Sequence, residues 1–336
     1  MEKAIKERFS DEILSEAMAR YGIAEDKIEL LDGFESYIYA FERDGAHYIL
    51  RIAHSIRRSV ALIRGEVDWI NYLAAGGVGV ARAVLSERGE LVELIDDGKG
   101  GQFLATAFVK ARGDIPRGEV WAPPLYERCG ETMGRIHALS RDYEPGDPAW
   151  RRPEWDDPVM LEVESMLPPS ASGAVEQYRA LMAHLRALPR GPESYGLIHQ
   201  DFHGGNFFVD EVGRITLFDF DDCVYGWYAY DVAMVLFYAA LWAQDPPAFT
   251  RQFMTHFLRG YQRECPFDPA WLQEFPHFLK LREIDLYAVI HRSFDVDKLE
   301  HPFDIQYMRG RQERIERGLP YIDFDFESLA DVLDDA

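Results

Sequence analysis

The sequence predicts an α+β protein in two lobes, a small β-rich N-terminal lobe and a larger, mainly helical C-terminal lobe. Three observations carry that expectation. Hairpin signals and short apolar strands fill the first third of the chain, with one good helix among them. Helical periodicity takes over from about Tyr126 onward. The 336 residues are enough for two modest hydrophobic cores.

The elements follow in order. Residues Ser10 to Tyr21 place Ile13, Leu14, Ala17 and Met18 on one helical face, with Ser10 at a helix start. Ile28 to Leu31 reads as a short strand, followed by an Asp32-Gly33 turn. Tyr37 to Glu42 and His47 to Ile52 read as two strands joined by Arg43-Asp44-Gly45, a hairpin signal. Ser59 to Ala74 is a helix stopped by Gly76-Gly77. Ala83 to Leu85, Leu91 to Ile95 and Phe103 to Val109 are further strands. Lys110 to Gly113 reads as a linker. Tyr126 to Ser140 is an amphipathic helix with Met133, Ile136 and Leu139 in step. The proline-rich stretch Arg141 to Pro192 holds one good helix, Ala174 to Leu188. A short β pair comes next, and the chain from Tyr230 on is helical and rich in aromatics. The acidic tail Asp323 to Ala336 has a last turn expected to fray. The expected division is residues 1–109, a hinge at 110–114, and residues 115–336.

Composition narrows the function. A net charge of −22 argues against nucleic acid or an anionic membrane surface as partner. Cys129, Cys223 and Cys265 are scattered and odd in number, which suits reduced thiols rather than a disulfide framework. The first residues, Met1 to Phe9, lack the apolar core of a signal peptide, and Val232 to Ala243 is too short to span a bilayer. The expectation is a soluble cytoplasmic protein.

The most informative stretch is His199-Gln200-Asp201-Phe202-His203-Gly204-Gly205-Asn206, followed after a hydrophobic run by Asp219-Phe220-Asp221. An acid and an amide on one loop, with a second acid at the next strand end, suit phosphoryl transfer from ATP. Asp201 can receive or orient the proton of an acceptor hydroxyl, and Asn206 and Asp219 can hold Mg2+. Asp221 can add a further metal contact. His199 fits a structural place under the loop, and His203 fits the Gly204-Gly205 turn, with a place near the transferred group as its other reading.

The spacing matches the kinase loop H-R-D-x-x-x-x-N, with Gln200 for Arg and with Asp221 for the Gly of D-F-G. In both departures the chain resembles the aminoglycoside phosphotransferase and choline kinase superfamily, small-molecule cousins of protein kinases. The longer strings, Leu197 to Val209 and Thr216 to Asp222, look most like the branch of type II homoserine kinases and stress-response Ser/Thr kinases. The likeness runs from about Tyr21 to about Tyr238. It implies a bilobal protein-kinase-like fold and ATP- and Mg2+-dependent transfer to a hydroxyl of a small molecule, an amino alcohol or an aminoglycoside-like compound. A protein Ser/Thr kinase of the stress-response type is the alternative, and a nucleotide-binding scaffold with little catalysis is the third.

The resemblance also implies a nucleotide side. Arg51 stands on the third strand where lysine is usual, and it keeps the charge and can bind phosphate bidentately. Glu66 on the following helix is its expected orienting partner. The phosphate-covering loop should be Gly33 to Ile38, with Ser36 and nearby amides touching phosphate. The adenine edge should meet backbone groups of Phe108, Val109 and Lys110. Asp231 reads either as an ordinary first-turn acid or, by the family pattern, as a group holding the catalytic loop in shape. Acceptor-pocket candidates are Trp227, Tyr228, Glu283, Asp285, Tyr287, His291 and Asp295, although such a stripe is more often core and solvated edge. An acidic, aromatic pocket would suit a cationic acceptor.

Overall fold

The computed structural model describes residues 3–31, 33 and 35–334 of the chain. The Asp32 half of the expected Asp32-Gly33 turn, Phe34 of the expected phosphate loop and the last two residues of the tail lie outside the described residues. The chain divides into two compact units, one of Met1–Asp114, Tyr143–Arg152 and Phe207–Asp221, the other of Ile115–Asp142, Pro153–Asn206 and Asp222–Ala336.

The first unit is built on a six-stranded antiparallel sheet. Its strands are β1 (Ile28–Leu31), β2 (Tyr37–Arg43), β3 (Ala46–His54), β4 (Ala83–Val84), β5 (Glu93–Asp96) and β6 (Gln102–Val109). The order is β1-β2-β3-β6-β4, with β5 also pairing β6. The β2–β3 turn follows from Asp44-Gly45. Both residues have positive φ, 54° and 74°, the twist a tight hairpin demands. Alternation along β3 then sorts the side chains onto two faces. Leu50 and Ile52 join Phe103, Ala105 and Ala107 against Ile13, Ala17 and Tyr21, where helix α1 (Asp11–Arg20) packs. On the other face Ala53 and Leu104 meet Ile63 and Val67 of helix α2 (Val60–Ala75). Arg51 shares that second face, with Ile38 and Thr106 as its cross-strand neighbours.

Helix α2 starts where the sequence puts it. Ser59 caps it, its hydroxyl accepting from the Leu62 amide at 3.3 Å. Gly65 lies against the backbone of the 143–152 segment, and a Cβ there would sit 2.0 Å from the Trp150 carbonyl oxygen. Only glycine permits that approach. The strands expected at Ala83 to Leu85 and Leu91 to Ile95 are shorter or displaced, at Ala83–Val84 and Glu93–Asp96. Leu85 is 55% exposed and leaves the sheet.

The second unit is mainly helical. Helix α3 (Pro123–Ser140) begins three residues before the expected start, with Pro at its first turn. Helix α4 (Ser172–Arg186) follows, and further on come α5 (Tyr228–Ala240), α6 (Pro246–Glu264) and α7 (Phe275–Ser293). Helices α3 and α6 touch through glycine, since a Cβ on Gly130 or on Gly260 would lie 1.9 Å from the facing carbonyl oxygen. Helix α5 is apolar on nearly every side and buried.

The short β pair expected around the motifs is two separate pairs. Strand β7 (Tyr195–Ile198) pairs with β10 (Val224–Trp227) in the helical unit. Strand β8 (Phe207–Val209) pairs with β9 (Ile215–Leu217) in the sheet unit. The chain changes partner at Asn206, so the loop of Asp201 and the Asp219 triplet are supported by different ladders. Cys129, Cys223 and Cys265 are all buried and none is in a disulfide. Among the described residues, no helix is long and apolar enough to cross a membrane.

Candidate active site

In the sheet unit, Arg51 and Glu66 form a closed, buried pair. The guanidinium donates through Nη1 to Glu66 Oε1 at 2.7 Å and through Nη2 to Oε2 at 2.6 Å. Both parallel bonds are charge-assisted, which fixes the arginine in plane and direction. Its Nε is buried with no hydrogen-bond partner. The guanidinium carbon stands 5.1 Å from the Phe108 ring centre. Burial would favour losing the proton, but Glu66, Asp221 and Asp219 outweigh it and hold Arg51 firmly charged.

The metal-type triplet lies in the same unit. Asp219 takes a positive φ of 63°, uncommon for a residue with a side chain. Such strain gathers where a side chain must be aimed. Asp221 is ringed by cations. Its carboxylate accepts from Arg57 and, at 3.2 Å, from Arg58 Nε, and its carbonyl accepts from Arg152 Nη2 at 2.7 Å. Arg57 also pairs with Glu35. Burial pushes the Asp221 carboxyl up, and Arg57, Arg58 and Arg51 more than reverse that. Asp221, expected to face a metal, is thus held by arginines. The doublet Arg57-Arg58 was missed in the sequence, although two adjacent cations just after the Arg51 strand of so acidic a chain were the available signal.

In the helical unit, Asp201 receives three side-chain contacts. Arg282 Nη2 donates to Oδ1 at 2.8 Å, Asn206 Nδ2 donates to Oδ2 at 2.9 Å, and His203 Nε2 lies 3.4 Å from Oδ2. Asn206 Nδ2 also donates to the Asp201 carbonyl at 2.9 Å. Burial alone would raise the Asp201 carboxyl, but His203, Arg282 and His199 hold it well below the usual carboxylate range. Arg282 is itself shared. It donates from Nη1 to Asp285 Oδ2 at 2.8 Å and from Nε to the Tyr238 hydroxyl at 3.2 Å. Burial and the loss of solvent raise the Asp285 carboxyl, even with Arg282 beside it.

Asp231 fixes the loop. Its Oδ2 accepts from the His199 amide at 2.9 Å and its Oδ1 from the Gln200 amide at 2.7 Å. His137 Nε2 lies 3.1 Å from Oδ2, and its Nδ1 lies 2.8 Å from the Tyr261 hydroxyl. Gln200 is thereby held at φ 68°, directly before Asp201. Of the two readings of Asp231, the loop-holding one is the geometry found. His199 is fully buried, and its Nδ1 accepts from the Asp201 amide at 3.1 Å. His203 serves the Gly204-Gly205 turn, with Nδ1 accepting from the Gly205 amide at 2.9 Å, while its other nitrogen faces Asp201.

The structure places the remaining expected contacts as follows. The amides of Val109 and Lys110 donate to the Arg82 and His47 carbonyls at 3.0 and 3.1 Å. Sheet pairing runs to the last residue of β6, so these two donors are not available to a base edge. Ser36 is half-buried in a bend before β2. Most acceptor candidates are core. Trp227 is fully buried and its indole donates to the Pro189 carbonyl at 2.9 Å, and Tyr228 stacks on His137. Glu283 is tied to Lys280 and Arg311. Tyr287 packs edge-on against His291, whose Nε2 is buried without a partner. Asp295 caps a short turn by accepting from the Asp297 amide. Of the seven, Asp285 joins the Asp201 cluster, and it does so through Arg282.

Comparison with known proteins fits this constellation. Residues 27–275 match the phosphotransferase enzyme family. An amicoumacin kinase of Bacillus subtilis (strain 168) is 39% identical over 333 residues, covering 97% of this chain and 98% of that protein. A solved amicoumacin kinase, hAmiN, in complex with AMP-PNP, Ca2+ and Ami superposes with a TM-score of 0.92 at 37% identity, covering 98% of this chain and all of the other. A microcompartment-associated aminopropanol kinase shares the fold, with a TM-score of 0.73 at 21% identity over 93% of this chain and 100% of that one. With the loop from His199 to Asn206 pinned by Asp231 and this likeness running nearly end to end, the chain belongs to the phosphotransferase enzyme family.

Proposed function

We propose that this phosphotransferase moves the γ-phosphoryl group of ATP, with Mg2+, to a hydroxyl of an amicoumacin-type small molecule. The observation that carries the reading is the Asp201 carboxylate, kept ionised on a strained loop and aimed by Arg282, Asn206 and Asp231. The names of the most similar proteins support the acceptor class.

Asp201 accepts a hydrogen bond from the acceptor hydroxyl and takes its proton as the new O–P bond forms and the bond between the γ-phosphorus and the bridging oxygen of ATP breaks, with ADP as the leaving group. Because arginine holds its basicity down, its main contribution is aim, which suits a reaction governed by positioning. Arg51, fixed by Glu66, presents its cationic edge to phosphate oxygens. Asp219 and the amide oxygen of Asn206 offer hard oxygen donors, the chemistry Mg2+ selects. The Asn206 nitrogen is already given to Asp201, so its oxygen is the atom left for a cation. When bound, the metal neutralises charge on the phosphates. Asp221 supports Arg57 and Arg58 in this reading, and these arginines rather than the metal answer its charge.

Asp201→Asn tests the assignment. It keeps the shape and removes the proton acceptor. Turnover should fall by about 10²- to 10⁴-fold, with AMP-PNP binding unchanged. Wild-type turnover in this variant would remove Asp201 from the chemistry.

A further inference from the structure

Away from the Asp201 cluster, the last turn of α4 meets the first turn of α7 in the helical unit. His184 Nε2 and His277 Nδ1 both approach one oxygen, Glu274 Oε2, at 2.7 and 3.0 Å. The two imidazole rings stand 4.1 Å apart with planes tilted by 35°. One ligand atom from each residue lies within 4.8 Å of the others, and this is the one such His/Cys/Asp/Glu group among the described residues. The Glu274 side chain is 9% exposed, while His184 and His277 are 42% and 43% exposed.

Without a cation, two neutral rings both donate to one carboxylate oxygen, which its lone pairs can accept, whereas two protonated rings would set two cations side by side against one buried anion. A dication would instead take a lone pair from each imidazole and one from the carboxylate. Donor atoms around a tetrahedral metal with bonds of about 2.0–2.1 Å stand roughly 3.3 Å apart. The two nitrogen–oxygen spacings, 2.7 and 3.0 Å, are slightly shorter, so small rotations of the exposed rings would open the site. Two imidazoles and one carboxylate favour a transition metal over Mg2+ or Ca2+.

We propose that His184, Glu274 and His277 form a site for one transition-metal dication of the Zn2+ class, with a solvent-facing fourth position. Its role is to staple the end of α4 to the start of α7, the helix that carries Arg282 and Asp285. No residue of this site belongs to the phosphotransfer machinery, so the inference stands independently of the function proposed above.

The test uses the full chain, stripped with a chelator and titrated with Zn2+ under saturating Mg2+. One equivalent should bind and raise Tm. His184→Ala and His277→Ala should each weaken Zn2+ binding by at least about tenfold and abolish the Tm rise, while phosphotransfer persists. The same uptake in the doubly substituted protein as in wild type would overturn the site. Should a variant fail to fold, Co2+ added to the wild-type chain decides. Intense visible bands of a four-coordinate, nitrogen-bearing centre support the proposal, and the weak spectrum of hydrated Co2+ overturns it.

Discussion

The two units hold their buried charges in different ways. In the sheet unit Arg51 faces one acid, and both Glu66 oxygens are engaged in parallel. In the helical unit Arg282 is divided among Asp201, Asp285 and Tyr238. The first arrangement is closed and gives a cation one fixed direction. The second is open, because each acid keeps an oxygen that Arg282 does not hold. A group that grips a nucleotide in every cycle benefits from the first. A group that must exchange its proton and accept a new hydrogen bond needs the second.

Breaking the closed pair should have the larger effect on stability. Glu66→Ala leaves Arg51 charged and buried without its partner, a change that costs about 3–5 kcal/mol. Chemical denaturation should show that loss, and AMP-PNP affinity should fall with it. An undiminished midpoint would mean that Arg51 finds another acid or water, and the contrast between the units would weaken.

Asp231→Asn strikes the support of the open cluster. The carboxylate accepts from two amides and faces His137. An asparagine must turn its NH2 toward one of those donors, which costs about 1–3 kcal/mol. Turnover should drop together with Tm. Loss of turnover at unchanged Tm would indicate that Asp231 touches the reaction more directly than its position implies.

Arg282→Met sharpens the comparison through pH. Removing one of the charges that depress the Asp201 carboxyl lets its pKa rise. The acid limb of the kcat/KM profile should therefore move to higher pH. The sign for stability follows the same linkage. Because the folded carboxyl titrates below its unfolded value, the contact stabilises at neutral pH, and that contribution fades as pH falls through the folded value. An acid limb that stays in place would separate Arg282 from Asp201.

What the sequence made legible follows from how local the signal is. The span His199 to Asn206 and the triplet at Asp219 could be read because a loop and its next strand hold them within a few residues. Glu66 was reachable because one strand and one helix set its distance from Arg51. Arg282 reaches Asp201 across 81 residues, and Arg57 reaches Asp221 across 164, so no spacing rule announces either contact. The adenine side was hard to read for a different reason. β6 reads as a strand, but its end does not reveal that neighbours on both sides take the amides of Val109 and Lys110. The two-ladder arrangement was hidden as well, since four strands of three or four residues carry too little periodicity to reveal their partners.

The most direct test of the function is a transfer reaction with ATP and Mg2+, run in parallel on amicoumacin and on a cell protein extract and read by mass spectrometry for added phosphate. Phosphorylated amicoumacin, formed about 10²- to 10⁴-fold more slowly when Asp201→Asn replaces the wild type, is the predicted result. Phosphate found only on protein Ser or Thr, with amicoumacin untouched, would contradict the account.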